Sequence, residues 1–321
     1  MRDWQDAWWN ALYSNGGFFT RGERPAGHFR TAPLVGPELA EALLVLLDRV
    51  DHGLGRPSTV DFVDMGAGGG ELAETVLRLA PPRLSSRLRV TAVDLGPSRD
   101  IPGVHWFHEL PEQVLGLLVG HEWLDAIPCP VITVHNGLIR RVLVDEHGAE
   151  QPGPEAGAAE RDWLRRWWPG AHRAEVGTTR DAAWAAALAR VRGAALAVDY
   201  GHLAADRPGD GTLTGYRSGR QVRPVPDGSC DLTAHVAMDA CASAAAAGST
   251  VLSTQSAALR ALGLTAATPP SGLAATDPAA WLSATAAAGR AHELLDPAGL
   301  GGFHWLLQST AGTPAPQLMR A

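Results

Sequence analysis

Hydrophobic and polar positions follow two periods along the chain, and their order predicts a parallel sheet. Short apolar runs predict strands, and they alternate with segments in which apolar residues recur every three or four positions, as in helices. The first four predicted strands are residues 60–64, 87–94, 104–107 and 115–120. Strands that alternate with helices form parallel sheets with right-handed crossovers. We therefore predict an α/β fold with a Rossmann-like sheet.

Helical periodicity begins close to the N-terminus. Trp4, Trp8 and Leu12 recur at helical spacing, and two glycines at positions 16 and 17 end the pattern. Pro37 suits the first position of a second helix over residues 39–50. Later predicted helices are residues 72–79, 163–168, 181–191, 233–247, 255–262 and 277–295. Later predicted strands are residues 194–198, 250–253 and 303–308.

The middle of the chain is less regular and predicts insertions into the core. Asn136 and Gly137 separate two apolar runs and predict a hairpin with a tight turn. Residues 151–157 predict a linker, residues 202–232 a long loop or hairpin over the edge of the sheet, and residues 265–278 a loop. We divide the chain into an N-terminal helical extension, residues 1–58, and a core, residues 59–321. The core carries insertions at about residues 130–180 and 202–232.

Composition narrows the possible functions. Of the 321 residues, 45% are hydrophobic and 19% charged, which is typical of a globular protein. The net charge of −7 disfavours a nucleic-acid partner and is compatible with a cationic substrate. Every basic side chain is an arginine, and the absence of lysine excludes a Walker A loop and Schiff-base chemistry. Three cysteines without metal-ligand spacing predict neither a disulfide framework nor a metal site.

The N-terminus and the hydropathy pattern bear on location. The first residues include Asp3 and Asp6 and lack the apolar region of a secretory signal. No run approaches the ~18 apolar residues of a membrane span. We therefore expect a cytoplasmic protein without a membrane partner. Trp4, Trp8 and Trp9 are interpreted as core or dimer contacts, and a homodimer is left open.

A glycine-rich loop follows the first predicted strand and reads Asp64-Met65-Gly66-Ala67-Gly68-Gly69-Gly70. A nicotinamide-binding pattern would need a third glycine at position 71, which is Glu71. An acid followed by alternate glycines is instead the arrangement of class I methyltransferases. Their cofactor, S-adenosylmethionine, has no phosphate, so the loop needs only close backbone approach, which glycine permits because it lacks a Cβ. Asp64 can balance the ammonium of this cofactor.

A second acid supports the same interpretation. Asp94 ends the next predicted strand, one helix and one strand after the loop. A carboxylate at that place can accept hydrogen bonds from both ribose hydroxyls. The alternative is a plain strand-turn-helix in which the glycines only shorten the turn, and it is less favoured once the loop and Asp94 are taken together.

Further segments, in family order, resemble the MidA-type methyltransferases, which include the mitochondrial complex I assembly arginine methyltransferase. The similar segments are Gly17-Phe18-Phe19, residues 27–33, His121-Glu122-Trp123-Leu124-Asp125-Ala126-Ile127-Pro128, residues 197–201 and 211–217, Cys230-Asp231-Leu232-Thr233-Ala234-His235-Val236, Thr254-Gln255, and residues 299–303. The likeness runs from about Leu12 to about Leu307. It implies a class I methyltransferase fold with S-adenosylmethionine as cofactor. The cofactor-binding residues that it implies are Asp64, Gly66, Ala67, Gly68, Gly70, Asp94, Leu95 and Thr31.

The sequence departs from the family pattern mainly at positions that face the substrate. Residues that differ from the usual ones are His28 (Asp), Leu34 (Glu), His121 (Asn), Gly219 (His) and Ala237 (an acid). The helix that usually follows the acid of the second strand is reduced to residues 96–102. The cofactor loop is intact. The resemblance therefore supports the reaction type more strongly than the substrate.

The resemblance also supplies candidate catalytic residues: Glu122, Asp125, Asp199 and His121. Methyl transfer depends on alignment, and an arginine acceptor is a cation that carboxylates must orient and deprotonate. Glu122 and Asp125 would share one face of a helix that starts there, and Asp199 would face the same cleft. The alternatives are a helix-terminal acid for Glu122 and a solvated charge for Asp125. His121 is a cofactor contact, a base or a packed histidine, whereas His105 and His108 are interpreted as structural.

Three functions fit the sequence. The first is methylation of a protein arginine, with a subunit of a respiratory NADH dehydrogenase as a candidate target. The second is N- or O-methylation of a small molecule by an enzyme whose substrate site has changed. The third is a non-catalytic assembly factor that keeps the fold, which the intact Asp64, Gly66, Gly68 and Asp94 disfavour.

Overall fold

The secondary structure follows the predicted alternation, and the computed structural model describes residues 1–23 and 31–320. Its strands are β1 (Arg2–Asp3), β2 (Val60–Met65), β3 (Leu88–Val93), β4 (Val104–Phe107), β5 (Val114–His121), β6 (Val131–His135), β7 (Leu138–Val144), β8 (Glu150–Glu155), β9 (Arg173–Glu175), β10 (Val191–Asp199), β11 (Gly201–His202), β12 (Thr214–Arg217), β13 (Arg220–Val222), β14 (Asp231–Thr233), β15 (Val236–Ala237), β16 (Ser249–Thr254) and β17 (His304–Ser309). Its helices are α1 (Trp4–Tyr13), α2 (Ala32–Val35), α3 (Glu38–Gly53), α4 (Glu71–Leu79), α5 (Pro82–Ser85), α6 (Ala158–Trp167), α7 (Thr178–Ala189), α8 (Met238–Ala244), α9 (Gln255–Ala261), α10 (Ser271–Thr276), α11 (Pro278–Leu295) and α12 (Ala315–Leu318).

A seven-stranded sheet forms the centre, in the order β16-β17-β10-β5-β2-β3-β4. The five strands from β10 to β4 are parallel, whereas β17 runs antiparallel to both of its neighbours. The chain passes from β2 outward to β3 and β4 and then returns to β5 on the other side of β2. Ligands of such sheets bind beyond the carboxyl ends of the strands, where this reversal leaves a crevice. The predicted α/β fold is confirmed.

Successive strand residues point to opposite faces, and each face is covered by helices. Phe62 belongs to a cluster with residues of α3, α4, α9 and α11, including Leu43 and Leu47. The next residue, Val63, belongs to a cluster on the other face with Trp184 of α7. The sheet is therefore buried on both sides, which explains the continuous apolar runs in its strands.

The three central strands lie close together at two glycines. Gly116 of β5 has a φ of 151°, and a Cβ there would lie 2.2 Å from the carbonyl oxygen of Asp61. Gly193 of β10 has a φ of 139°, and its Cβ would lie 2.2 Å from the carbonyl oxygen of Gly116. The buried Asp61 carboxylate also accepts hydrogen bonds from Leu115 N at 2.7 Å and Arg89 Nε at 2.8 Å. These contacts fix the register of the strands that carry the cleft.

A second sheet, in the order β1-β7-β6-β9 with β8 paired to β7, is built largely from the first predicted insertion. Its β6–β7 hairpin turns at Asn136 and Gly137, whose φ values are 51° and 76°, as the sequence predicts. Helix α1 packs on this sheet through fully buried Trp4 and Trp8, whereas the exposed fraction of Trp9 is 51%. The two long helices of the N-terminal extension thus join different layers, since α3 packs on the central sheet.

Four segments differ from the prediction or add detail to it. Residues 151–157, expected to be a linker, belong mostly to β8, where edge pairing tolerates Pro152 and Pro154. Residues 202–232 contain the β12–β13 hairpin, and β14 adds to it. The predicted helix over 233–247 is reduced to α8, because β14 and β15 pair with β12 and β11 and this pairing outweighs the helix propensity of the segment. The expected loop at 265–278 includes α10.

Several features bear on membranes, metals and redox chemistry. Within the described ranges, none of the helices is long and apolar enough to cross a membrane. The same residues contain no group of three His, Cys, Asp or Glu side chains arranged to hold a metal ion. Cys129, Cys230 and Cys241 are buried free thiols.

The close approach of the central strands predicts a strong penalty for a Cβ. We expect Gly116→Ala to lower the free energy of unfolding by roughly 2 kcal/mol or more, because it combines an unfavourable φ with a backbone clash. Gly289→Ala is the matched control, since Gly289 lies in α11 with open space around its Cα. That change should be neutral or stabilising by about 0.5–1 kcal/mol. Urea unfolding of both variants measures the difference, and equal midpoints would contradict the expectation.

Candidate active site

One cleft, in two adjoining halves, lies beyond the carboxyl ends of β2, β3 and β5. The carboxylate half is lined by Thr31, Asp64, His121, Glu122, Asp125 and Asp231, among others. The Asp94 half is lined by Tyr13, Met65, Val93, Asp94, Leu95 and Trp123, among others. Gly66, Gly68, Phe19, Glu122 and Ala126 line both halves. The space between the protein atoms, open solvent included, is about 670 Å³ in the first half and about 870 Å³ in the second.

The predicted glycine loop forms the floor between the two halves. Gly66, Gly68 and Gly70 have φ values of 75°, 58° and 83°, which favour glycine. A Cβ at Gly68 would meet none of the described atoms within 4 Å, so this residue leaves open space on the cleft side. Gly70 has a different role, because it precedes α4, lines neither half, and its Cβ would lie 2.5 Å from Cδ1 of Ile101.

Asp64 ends β2 at the bottom of the carboxylate half. Its side chain is buried, and its Oδ2 has no hydrogen-bond partner among residues 1–23 and 31–320. Burial raises the pKa of this carboxyl from 3.8 to about 7. A buried carboxylate with a free oxygen is stabilised by a cation, so Asp64 can bind an ammonium group.

Asp94 links the glycine loop to the segment after β3. Its Oδ2 accepts a hydrogen bond from Gly68 N at 2.8 Å, and its Oδ1 accepts one from Gly96 N at 2.7 Å. Burial raises the pKa of this carboxyl in spite of both bonds. A carboxylate oxygen can accept two hydrogen bonds, so each oxygen of Asp94 can still accept one from a hydroxyl group. Leu95 is half exposed beside it and lines the same half of the cleft.

Glu122 lies at the junction of the two halves in a strained backbone conformation. Its φ of 50° is uncommon for a residue with a side chain, and its N–H donates to Val198 O at 2.8 Å. Burial, followed by the charges of Asp125 and Asp231, raises the pKa of Glu122 well above its usual value. Strain of this kind concentrates at functional sites.

The segment after β5 forms turns instead of the expected helix. Glu122 and Asp125 therefore do not share a helix face, and a helix dipole cannot explain Glu122. The turn still brings both carboxylates to the carboxylate half of the cleft. Asp125 is buried, which rules out a solvated surface charge. Its Oδ2 accepts from the hydroxyl of Thr233 at 2.5 Å and from that of Tyr200.

Asp199 does not face the cleft, so this prediction is wrong. It is fully buried and lines neither half. Its Oδ2 accepts hydrogen bonds from Leu124 N at 3.0 Å and Asp125 N at 3.2 Å. Burial, with the charges of Asp125 and Glu122, raises the pKa of this carboxyl. Asp199 thus holds the backbone of the turn from behind, and it is a positioning residue for Asp125.

His121 and Thr31 line the carboxylate half, as the resemblance implies. Burial lowers the pKa of His121 to about 4, so its imidazole is neutral near pH 7. Its Nδ1 lies 3.4 Å from Oε1 of Glu122, and its Nε2 lacks a partner in the part of the chain that is described. A neutral imidazole can donate or accept one hydrogen bond to a ligand. His28 and the other residues from 24 to 30 of the N-terminal motif lie outside the described residues.

Sequence reasoning missed two charged residues of the site. Arg180 of α7 is almost completely buried, and its guanidinium donates to Asp125 O at 2.6 Å, Ile127 O at 3.1 Å and His235 O at 2.8 Å. Asp231 lines the carboxylate half from the second insertion. Asp231 lies in a segment quoted for the resemblance, which is a signal that could have found it. The sequence gives no comparable signal for Arg180, because an arginine in an alanine-rich helix is expected to be exposed to solvent.

Comparison with known proteins agrees with this geometry. A family model described as "Putative S-adenosyl-L-methionine-dependent methyltransferase" matches residues 39–255. A crystal structure of a "likely methyl transferase" from Burkholderia thailandensis bound to S-adenosyl-homocysteine has a TM-score of 0.79 and 25% identity, covering 97% of this chain and 89% of its own. A native crystal structure of an uncharacterized protein from the same organism has the same TM-score and identity, covering 99% and 90%. None of the curated proteins matches the chain.

The family match extends over more than half of the chain and includes β2, the glycine loop, Asp94 and the turn after β5. It confirms the resemblance to the MidA-type methyltransferases and identifies S-adenosylmethionine as the cofactor. The chain belongs to this family of S-adenosylmethionine-dependent methyltransferases.

Proposed function

We propose that the protein transfers a methyl group to an arginine side chain of another protein, with S-adenosylmethionine bound across the two halves of the cleft. Asp64 would hold the ammonium of the cofactor, and Asp94 would accept hydrogen bonds from its ribose hydroxyls. The free Oδ2 of Asp64, the remaining acceptor capacity of Asp94 and the open space at Gly68 support this placement. When bound, the cofactor supplies a sulfonium methyl group. An aligned nucleophile attacks the methyl carbon in line with the sulfur, which leaves as a thioether.

One observation supports the cationic acceptor above all: Glu122, Asp125 and Asp231 line the same half of the cleft. Each has one oxygen without a hydrogen-bond partner among the described residues. Like charges that are buried together are costly unless a cation lies among them. A guanidinium is planar and can bond two carboxylates at once, so it suits this group better than a phenol or an anion.

The same carboxylates provide the proton acceptor that the reaction needs. Methylation of a guanidinium nitrogen releases one proton, because the product nitrogen carries the methyl group in place of a hydrogen. Glu122 would take this proton. Its raised pKa makes the ionised Glu122 a stronger base than an exposed glutamate. The neutral His121 beside it can keep the carboxylate oriented.

Of the two other functions, methylation of a small molecule remains an alternative, and a non-catalytic assembly factor is disfavoured. A small-molecule N- or O-methyltransferase would use the same cofactor site and a smaller acceptor. A non-catalytic assembly factor would need neither the free Asp64 oxygen nor the strained Glu122. The resemblance to the complex I assembly methyltransferase makes a subunit of a respiratory NADH dehydrogenase the first protein target to test.

Cofactor binding is expected to fail when the space at Gly68 is filled. Gly68→Val places a branched side chain in the cleft, so the affinity for S-adenosylmethionine should fall beyond detection while the fold persists. Gly170→Val is the matched control, because Gly170 has a comparable positive φ and open surroundings outside the cleft. Calorimetric titration and thermal unfolding measure both properties. Normal binding by Gly68→Val would place the cofactor elsewhere.

The ionisation of Asp64 should make cofactor affinity depend on pH. Below its pKa of about 7 the carboxyl binds a proton and no longer balances an ammonium. The Kd for S-adenosylhomocysteine, which carries the ammonium but no sulfonium, should therefore rise about tenfold per pH unit below 7 and level off above it. Asp64→Asn should bind weakly at every pH and remove most of this slope. Titrations on both sides of pH 7 test this, and a flat wild-type profile would argue against the Asp64–ammonium contact.

Methyl transfer should depend on the carboxylates more than cofactor binding does. We expect Glu122→Gln and Asp125→Asn each to reduce kcat by about tenfold or more, with little change in cofactor Kd. Glu146→Gln is the control, since Glu146 is exposed outside the cleft. Labelled cofactor is incubated with arginine-containing peptides and with phenolic and carboxylate metabolites. Methylation of the metabolites alone, unaffected by either change, would exclude the arginine acceptor and favour the small-molecule alternative.

A further inference from the structure

Asp231 reaches the cleft from an insertion and not from the central sheet. It lies in β14, which pairs with β12 opposite Tyr216. The segment that follows is tied to the turn after β5, because Ala234 N donates to Asp125 O at 3.4 Å and Arg180 bonds the carbonyls of Asp125 and His235. The insertion and the turn are thus held together around the carboxylate half of the cleft.

The Asp231 carboxylate is buried and lies among other acids. It is 4% exposed, and its Oδ1 lacks a hydrogen-bond partner among the residues that the structure describes. Burial, followed by the charge of Asp125, raises its pKa well above the usual value. Its position is unfavourable in the free protein, and the side chain gains most from a ligand with a positive charge and N–H donors.

Among the acids that line this half of the cleft, Glu122, Asp125 and Asp231 differ in how much capacity they retain to accept hydrogen bonds. Asp125 already accepts from two hydroxyls, those of Tyr200 and Thr233. Glu122 and Asp231 line the same half of the cleft from two different segments, the turn after β5 and the insertion. A guanidinium has five N–H donors in one plane and cannot satisfy them with a single carboxylate. Two carboxylates from separate segments can hold it along two edges.

We infer that Asp231 is an acceptor-binding residue, which together with Glu122 holds the guanidinium of the substrate between the central sheet and the insertion. This inference rests on the proposed arginine acceptor. It makes the insertion, residues 202–232, an element of substrate recognition. Glu122 takes the proton of the attacking nitrogen, and Asp231 binds the side of the guanidinium that does not react.

The test is a thermodynamic cycle, in which the charge at position 231 and the charge of the ligand are removed separately and together. The full chain, saturated with S-adenosylhomocysteine, is titrated with N-acetyl-arginine methylamide and with its neutral isostere N-acetyl-citrulline methylamide. Asp231→Asn should weaken binding of the arginine probe at least about tenfold and leave the citrulline probe nearly unchanged, because a hydrogen bond between charged groups is lost only in the first case. Asp227→Asn, an exposed position four residues earlier, should match the wild type with both probes.

Retained affinity for S-adenosylhomocysteine shows that the variant is folded. If Asp231→Asn loses that affinity, Asp231→Ser replaces it with the same expectation, since it also removes the charge. Equal binding of the arginine probe by the wild type and the variant would overturn the role of Asp231. It would not contradict the proposed arginine acceptor. A wild type that binds no guanidinium, or methylates only neutral compounds, would overturn both.

Discussion

The turn after β5 depends on two buried side chains, an acid and an arginine, that bond its backbone. A turn at this depth cannot pair its own backbone groups as a helix would, so side chains must do so. Asp199 accepts from the N–H groups of Leu124 and Asp125, and Arg180 donates to the carbonyls of Asp125 and Ile127. Removing either side chain would leave buried backbone N–H or C=O groups without a partner, which is destabilising. The position of Asp125 in the cleft follows from this arrangement.

Arg180 also explains how the site tolerates so many acids. Its guanidinium donates to carbonyl groups, so its positive charge makes the local electrostatic potential less negative without pairing directly with a carboxylate side chain. The described residues that line the carboxylate half include no arginine. No arginine of that lining therefore neutralises the acids there, which are Asp64, Glu122 and Asp231 among others. A proton or a cationic ligand can do so. A cofactor and an acceptor that are both cationic are complementary to such a cleft.

Local pattern was sufficient for the sheet and for the cofactor loop. Apolar runs and glycine spacing depend on neighbours in sequence, so they predict β2, the loop after it and Asp94 at the end of the next strand. The tight turn at Asn136 and Gly137 was predictable for the same reason. Each of these features is determined by a few consecutive residues.

Features that depend on contacts between distant segments were not predictable in this way. Asp199 was expected in the cleft because it ends a strand, yet the turn after β5 lies in front of it. The expected helix at Glu122 does not form, since Asp199 and Arg180 satisfy the backbone in another geometry. Arg180 gave no signal, because only the fold shows which carbonyls its guanidinium meets. Asp231 could be recognised as a motif residue, but its place in the same half of the cleft as Glu122 requires the insertion to fold back onto the turn after β5.

The two hydrogen bonds of Asp94 have a consequence for how the cofactor site is organised. They join the glycine loop to the segment after β3. The conformational entropy of fixing these loops is therefore lost when the chain folds and not when the cofactor arrives. Such preorganisation strengthens binding without adding a contact. It also means that the backbone on this side of the cleft is held by the chain's own contacts, so a ligand that binds beside Asp94 meets a surface whose shape is already fixed.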